Sequence, residues 1–242
     1  MLNVESHLKM DGLNIQVEDW GVDFPIRNAL KKQDDYWAER VYDNAKDRLI
    51  FVEHEPVYTA GASLSYNFSL EKIRPHFKVP FWSIICPVKY TRRGGLVTYQ
   101  GPGILSVYCV FKTGSFIPGI LNNILLSSAE KVFEEYKLKI FRRTANSSGN
   151  PGLYLGRDKK IVSVGLQFSR GVSRYGMTIS LDPEEKYLDP LVPCGLKDIE
   201  LTALAKELGQ SNIPQEQRLK IKTILALQIQ KRWNSHKQKT PF

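Results

Sequence analysis

Between Arg92 and Phe111 the chain reads as β structure cut by glycine turns, and this stretch constrains the fold most. Arg92-Arg-Gly-Gly95 is a turn, Leu96-Val-Thr-Tyr99 a strand and Gly101-Pro-Gly103 a second turn. Ile104 to Phe111 follows as another strand, rich in β-branched and aromatic residues. Further strands are expected at Arg48–Glu53, at Phe81–Cys86 between two prolines, at Lys160–Phe168 and at Gly176–Leu181. Phe81–Cys86 reads as buried, and Arg170–Tyr175 reads as a hairpin-like link between the last two.

The period changes on either side. Asn28–Asn44 carries apolar residues at helical spacing, and Pro118–Tyr136 does so through Ile120, Ile124, Leu125, Val132 and Phe133. Leu201–Leu208 and Gln215–Trp233 read as helices too, the latter with Ile221, Ile224, Leu225 and Ile229 on one side. Strands gathered in the middle with helices outside them predict an α+β fold, not an alternating βαβ array. The expected architecture is a mixed sheet flanked by helices. No repeat or Pro/Gly/Ser linker divides the 242 residues, a length that supports one full core.

Charge does mark a boundary. The formal charge is +9, and from Pro214 onward seven basic residues face one acid, Glu216. The chain is therefore read as a body of residues 1–213 and a basic helix and tail of 214–242. A basic footprint admits nucleic acid as a partner, but the body is nearly neutral and none is expected. An acidic protein fits better, and the C-terminal stretch is expected to help it dock. No apolar run reaches the ~18 residues of a membrane span. Three cysteines, Cys86, Cys109 and Cys194, are too few for a disulfide framework and point to a reducing compartment. The first fifteen residues lack a signal-peptide core.

Few residues offer chemistry. No two of His7, His54, His76 and His236 stand at metal-ligand spacing, and there is no phosphate loop or Gly-x-Ser-x-Gly elbow. No metal or cofactor is expected. Cys86 and Cys109 lie in apolar runs and read as core. Cys194 sits in Leu191-Val-Pro-Cys-Gly195, where proline stiffens the approach and glycine leaves room, so an exposed nucleophile is one reading beside the commoner one of a small buried hydrophobe. Such a thiol needs a partner that favours its thiolate. Histidine is the usual one, which leaves His54; Lys160, opening a strand that turns apolar at once, is the other candidate.

Five blocks then occur in order: His54-Glu-Pro-Val-Tyr-Thr-Ala-Gly61, Arg93-Gly-Gly-Leu-Val-Thr-Tyr-Gln-Gly-Pro-Gly103, Gly152-Leu-Tyr154, Lys160-Ile-Val-Ser-Val-Gly165 and Val192-Pro-Cys-Gly195. Together, from about Leu49 to Leu204, they resemble the lipoyl(octanoyl) transferases. The resemblance implies a fold shared with biotin and lipoate protein ligases, and ping-pong acyl transfer without ATP. It implies Cys194 as the nucleophile toward octanoyl-acyl carrier protein. Lys160, counted back from Gly165, would lower the thiol's pKa and move the proton. The acceptor would be a lysine of lipoyl domains in 2-oxoacid dehydrogenases or of the glycine-cleavage carrier protein. Arg93, Gly94, Gly95, Leu96, Val97, Thr98, Tyr99 and Gln100 match the family's substrate-binding stretches. So do Ser163, Val164 and Gly165, and Gly176, Met177 and Thr178.

Two positions depart from the family, which usually has histidine where this chain has Gln100 and Tyr175. Both can hydrogen-bond, but neither titrates near neutral pH as histidine does. Two other readings stand beside the leading one: an ATP-dependent lipoate ligase, which has no need of Cys194, and a non-catalytic basic binding module. The expected compartment is the mitochondrial matrix, with a bacterial cytoplasm as the alternative.

Overall fold

A computed structural model describes residues 15–64, 69–114, 118–143, 151–192 and 199–239. The chain opens with β1 (Ile15–Asp19), helix α1 (Ile26–Tyr42), β2 (Asp47–Val52), β3 (Val57–Ala60), β4 (Val88–Tyr90), β5 (Val97–Gln100) and β6 (Ile104–Val110). Helix α2 (Pro118–Glu135) leads to β7 (Ile140–Arg143), β8 (Gly152–Leu155), β9 (Lys159–Ser169) and β10 (Val172–Ser180). A two-residue β11 (Glu200–Leu201) and the long helix α3 (Gln215–Lys239) complete it. The large sheet runs β1-β2-β6-β10-β9-β8-β7, with β11 also on β9, and a small sheet runs β4-β3-β5. β1 pairs parallel with β2, and β11 with β9, while the remaining large-sheet pairs are antiparallel. The sheet is mixed, as the sequence predicts.

Strand alternation sorts side chains to two faces. From β2, Leu49 and Phe51 enter the main core, where they join α2 residues such as Leu125 and Phe133 and α3 residues such as Ile221, Leu225, Ile229 and Trp233. Ile50 and Val52 point the other way, into a cluster completed by Trp37 and Val41 of α1. The buried face of α1 includes Ile26, Ala29, Gln33 and Arg40, a helical spacing. Its two polar members each hold a partner. The Gln33 Oε1 atom accepts the Tyr175 amide at 2.9 Å, and Arg40 Nε donates to Asp47 at 2.7 Å.

Three expectations need correction. Phe81–Cys86 is not a buried strand: Phe81–Ser83 forms a single 3₁₀ turn, Trp82 is 86% exposed and Ile85 is exposed too. Pro80 and Pro87 lack the amides that a strand would offer a neighbour, and the Ser83 hydroxyl closes the turn on the Pro80 carbonyl at 2.7 Å. The link between β9 and β10 is only Arg170-Gly171, both with positive φ, because the two strands run on to meet it. Leu201–Leu208 splits into the end of β11 and a four-residue helix, Leu204–Glu207.

The charge boundary at Pro214 is not a boundary of packing. Helix α3 belongs to the main core, and much of its charge is matched inside the fold. Arg218 bridges Glu53 and Asp182, Lys220 meets Glu135 at 3.0 Å, Lys222 meets Asp19 at 2.7 Å and Lys237 meets Asp47 at 2.5 Å. Asp47 is 1% exposed and also accepts hydrogen bonds from Trp233 Nε1 and the Lys112 amide, both at 2.8 Å. Burial pushes its carboxyl up, yet the bonds from Lys237, the Lys112 amide and Arg40 together hold it below the usual carboxylate range.

A depressed folded pKa contributes stability that is complete above the unfolded value of about 4 and fades as pH falls through the folded one. Asp47→Asn should therefore cost about 3–5 kcal/mol in urea unfolding at neutral pH, because it strands buried donors. The same variant should lose part of the acid-side decline in stability, measured between pH 2 and 5.

Candidate active site

Between the two sheets lies a cavity of about 480 Å³, within the ~300–1,000 Å³ usual for small-molecule sites. Its walls gather most of the residues singled out in the sequence. The loop before β5 and the strand itself supply Arg93, Gly94, Gly95, Leu96, Val97, Thr98 and Gln100; β9 supplies Lys160, Ser163, Val164 and Gly165; β10 supplies Gly176, Met177 and Thr178. Tyr99 is the exception. It is buried on the opposite face of the small sheet, stacked on Tyr187 at 4.7 Å between ring centres. Alternation along β5 turns it away from its neighbours.

The loop is held by Arg93. Its Nε and Nη2 donate to Thr59 Oγ1 at 3.1 and 2.9 Å, Nη2 also reaches the Thr59 and Leu96 carbonyls at 2.5 and 2.8 Å, and Nη1 reaches the Gly94 carbonyl at 3.0 Å. Arg93 thus lines the cavity while its fork of donors ties the loop to β3. The loop also leans on β9, since the Gly94 amide donates to the Leu166 carbonyl at 3.1 Å. A Cβ on Gly165 would stand 2.9 Å from the Gly94 oxygen, so this crossing needs a bare backbone.

Lys160 sits where β9 changes neighbours. β10 pairs with β9 as far as Ile179 opposite Val162, and β11 takes over with Leu201 opposite Lys160. The lysine is 3% exposed, with Nζ 5.5 Å from the centre of the Tyr154 ring. Across the ladder, a Cβ on Gly152 would come within 2.8 Å of Lys160 Cε and 2.2 Å of the Val162 oxygen. Gly152 is therefore the gap through which this side chain passes. Cys194 lies outside the described residues, in the stretch 193–198. On either side of that stretch in the chain, Leu191 and Leu201 line the cavity.

The two positions that depart from histidine also line it. Gln100 Oε1 accepts from the Ser106 hydroxyl at 2.6 Å. Tyr175 has φ of 59°, a left-handed conformation inside a strand that costs ~1–2 kcal/mol. This places its ring in the α1-side cluster, although Met177, two residues on, belongs to the main core. Its hydroxyl accepts the Arg92 amide at 3.2 Å, and burial raises its pKa, so it stays neutral.

Sequence reasoning passed over Tyr108, which lines the cavity and packs edge-on to Tyr175. The Tyr108 hydroxyl lies 2.6 Å from His54 Nε2. Desolvation lowers the His54 pKa to about 4, so the ring is neutral at pH 7: Nδ1–H donates to the Phe24 carbonyl at 2.9 Å and Nε2 accepts from Tyr108. Nothing in an apolar strand run marks one tyrosine as wall and another as core. His54 itself was visible, at the head of the first block.

A family model described as lipoyl protein ligase A/B catalytic domain matches residues 26–225. An octanoyltransferase of Magnetococcus marinus is 30% identical over 66% of this chain and 68% of its own length. The chain belongs to the lipoyl protein ligase A/B family and, within it, to the octanoyltransferases. The mitochondrial octanoyltransferase LIP2 of Arabidopsis thaliana is 28% identical over 74% of this chain and 73% of its own. The mitochondrial octanoyl-[acyl-carrier-protein]:protein N-octanoyltransferase of Danio rerio is 28% identical over 78% and 81%.

Among solved structures, the bipartite lipoate protein ligase of Thermoplasma acidophilum superposes with a TM-score of 0.64 at 10% identity, covering 92% of this chain and 84% of that one. An apo biotin protein ligase from Aquifex aeolicus reaches 0.50 at 13% identity, covering 94% and 72%. The ligase-like fold expected from the sequence is the fold observed.

In this octanoyltransferase family member, the Gly94–Gly165 crossing can be tested directly. Gly165→Ala should cost about 1–3 kcal/mol in urea unfolding while lifting the loop. Isothermal titration with a medium-chain carboxylate should then show binding weakened about tenfold, or ~1.4 kcal/mol.

Proposed function

We propose that this chain transfers an octanoyl group from octanoyl-acyl carrier protein to a lysine of a lipoyl domain, through a thioester on Cys194. The observation that carries this reading is the glycine-lined cavity with Lys160 buried in its wall at the junction of β10 and β11. The Cys194 thiolate attacks the acyl carbonyl of the donor thioester; a new C–S bond forms, the carrier's C–S bond breaks, and the carrier's sulfur leaves as a thiol by taking back the proton that Cys194 gave up to Lys160. The acceptor amine then attacks the Cys194 thioester; the C–S bond breaks, an amide forms, and the cysteine is free again. Lys160 favours the thiolate in the first step and carries the proton released by the amine in the second.

The other cysteines suit this chemistry poorly. Burial pushes the Cys86 thiol up to about 11, and raises that of Cys109, which is 0% exposed, further. Apolar wall residues, among them Leu96, Val97, Val164 and Met177, receive the acyl chain. Gln100, already fixed by Ser106, orients the thioester through hydrogen bonds. The acceptors are lipoyl domains of 2-oxoacid dehydrogenases and the glycine-cleavage carrier. The mitochondrial matrix is the proposed compartment, in keeping with the mitochondrial relatives and a pI near 9.4, and a bacterial cytoplasm, as in the bacterial relatives, is the alternative.

Intact mass after mixing with octanoyl-acyl carrier protein should show one octanoyl adduct in wild type and none in Cys194→Ser. Modification of a lipoyl domain by octanoate and ATP, with the carrier thioester inert, would instead mark a ligase. Gln100→His should change the rate by less than about tenfold, ~1.4 kcal/mol of barrier. It should add no limb near pH ~6.5 to the pH–rate profile. A large gain with such a limb would transfer the proton work away from Lys160.

A further inference from the structure

Seven large hydrophobic side chains stand exposed among the described residues, and four of them, Leu70, Trp82, Ile85 and Tyr90, fall within one segment. The stretch 69–93 also holds six basic residues against one acid, Glu71. Arg74, Lys78, Lys89 and Arg92 are exposed, and no ion pair among the described residues engages them. This contrasts with helix α3, where Arg218, Lys220, Lys222 and Lys237 are all paired with acids of the body.

The segment is joined to the cavity by sheet register. Thr59 of β3 lies opposite Thr98 of β5 on one side and Lys89 of β4 on the other. Residues in one such row share a face of the sheet, about 4.8 Å apart from strand to strand. Thr59 and Thr98 line the cavity, so Lys89 carries the same wall to the exposed edge of the small sheet. From Ile84 to Lys89 burial alternates. Ile84, Cys86 and Val88 pack inward on the small-sheet cluster, which leaves Ile85, Pro87 and Lys89 on the outward side. Trp82 stands on the turn just before them.

We infer that the outward face of residues 82–89 is the docking surface for the acyl donor, an acidic carrier protein that presents its thioester on a phosphopantetheine arm. This rests on the octanoyl-transfer reading above. Lys89, at the rim of the cavity wall, meets the arm's phosphodiester as the acyl end passes inward, and Trp82 with Ile85 covers an apolar part of the carrier. Charge complementarity selects this occupant: a basic segment steers an acidic domain, and the arm's phosphate is a fixed anion for Lys89 to meet.

The test uses the full chain and follows acylation alone, by intact mass at early times. Octanoyl-acyl carrier protein is compared with octanoyl-N-acetylcysteamine, a small uncharged thioester. Trp82→Ala and Lys89→Glu alter exposed side chains, so the fold should persist. In the double variant, acylation by the carrier at low salt should slow about tenfold or more, while the small thioester acts within about twofold of wild type. Lys89→Glu should also flatten the salt dependence seen with the carrier. Unchanged acylation by the carrier would overturn the proposal, as would an equal loss with both donors. Normal acylation with weaker transfer to a lipoyl domain would overturn it in favour of the acceptor. Wild type acylated by neither donor would overturn the octanoyl-transfer reading itself, and the docking surface with it.

Discussion

The cavity exists because one guanidinium holds a glycine loop in place. Arg93 gives its donors to Thr59, Gly94 and Leu96, and so fixes the loop between the small sheet and β9. A planar fork can satisfy several acceptors in set directions, which a lysine ammonium cannot match. With the loop fixed, the Gly94 amide reaches Leu166 and the bare Gly165 lets the two backbones cross. The apolar walls on either side then have a defined separation. A charged residue that a reader of the sequence assigns to the substrate thus serves first to shape the space the substrate would fill.

Behind that space, buried polar groups set the geometry. Gln33 of α1 holds the left-handed Tyr175, Tyr175 holds the Arg92 amide, and Tyr108 rests against neutral His54. Each bond satisfies a group that burial would otherwise leave unpaired, at a cost of ~1–3 kcal/mol. These contacts connect helix α1 to the loop through β10. At the two places where the family resemblance implies histidine, this chain has Gln100 and Tyr175, each held by a hydrogen bond within the fold.

Much of the site was legible in the sequence because glycines, Arg93 and Lys160 stand in ordered blocks with a fixed register along β5, β9 and β10. Alternation also explains why Tyr99 stands apart from Thr98 and Gln100: it shares the Arg93–Gly103 block but belongs to the far face of β5. Phe81–Cys86 is apolar enough for a strand, yet its flanking prolines remove the backbone donors that pairing needs. The ties among Asp47, Arg40, Trp233 and Lys237 span nearly the whole chain, and no local pattern announces them. The positive φ of Tyr175 is equally silent, since it is imposed by packing and by Gln33, not by residue type.

Helix α3 has a consequence for how the protein is made. It follows every described strand, yet with α2 it covers the main core, and it brings the cations for Glu53, Asp182 and Asp19 and a second one for Asp47. During synthesis, therefore, the part of the main core that α2 leaves uncovered stays open, and Glu53, Asp182 and Asp19 lack their basic partners, until residues 215–239 emerge. Closure is a single late event that buries apolar surface and pairs charge together. A nascent chain halted before α3 would present a sticky, partly uncovered core to chaperones and proteases.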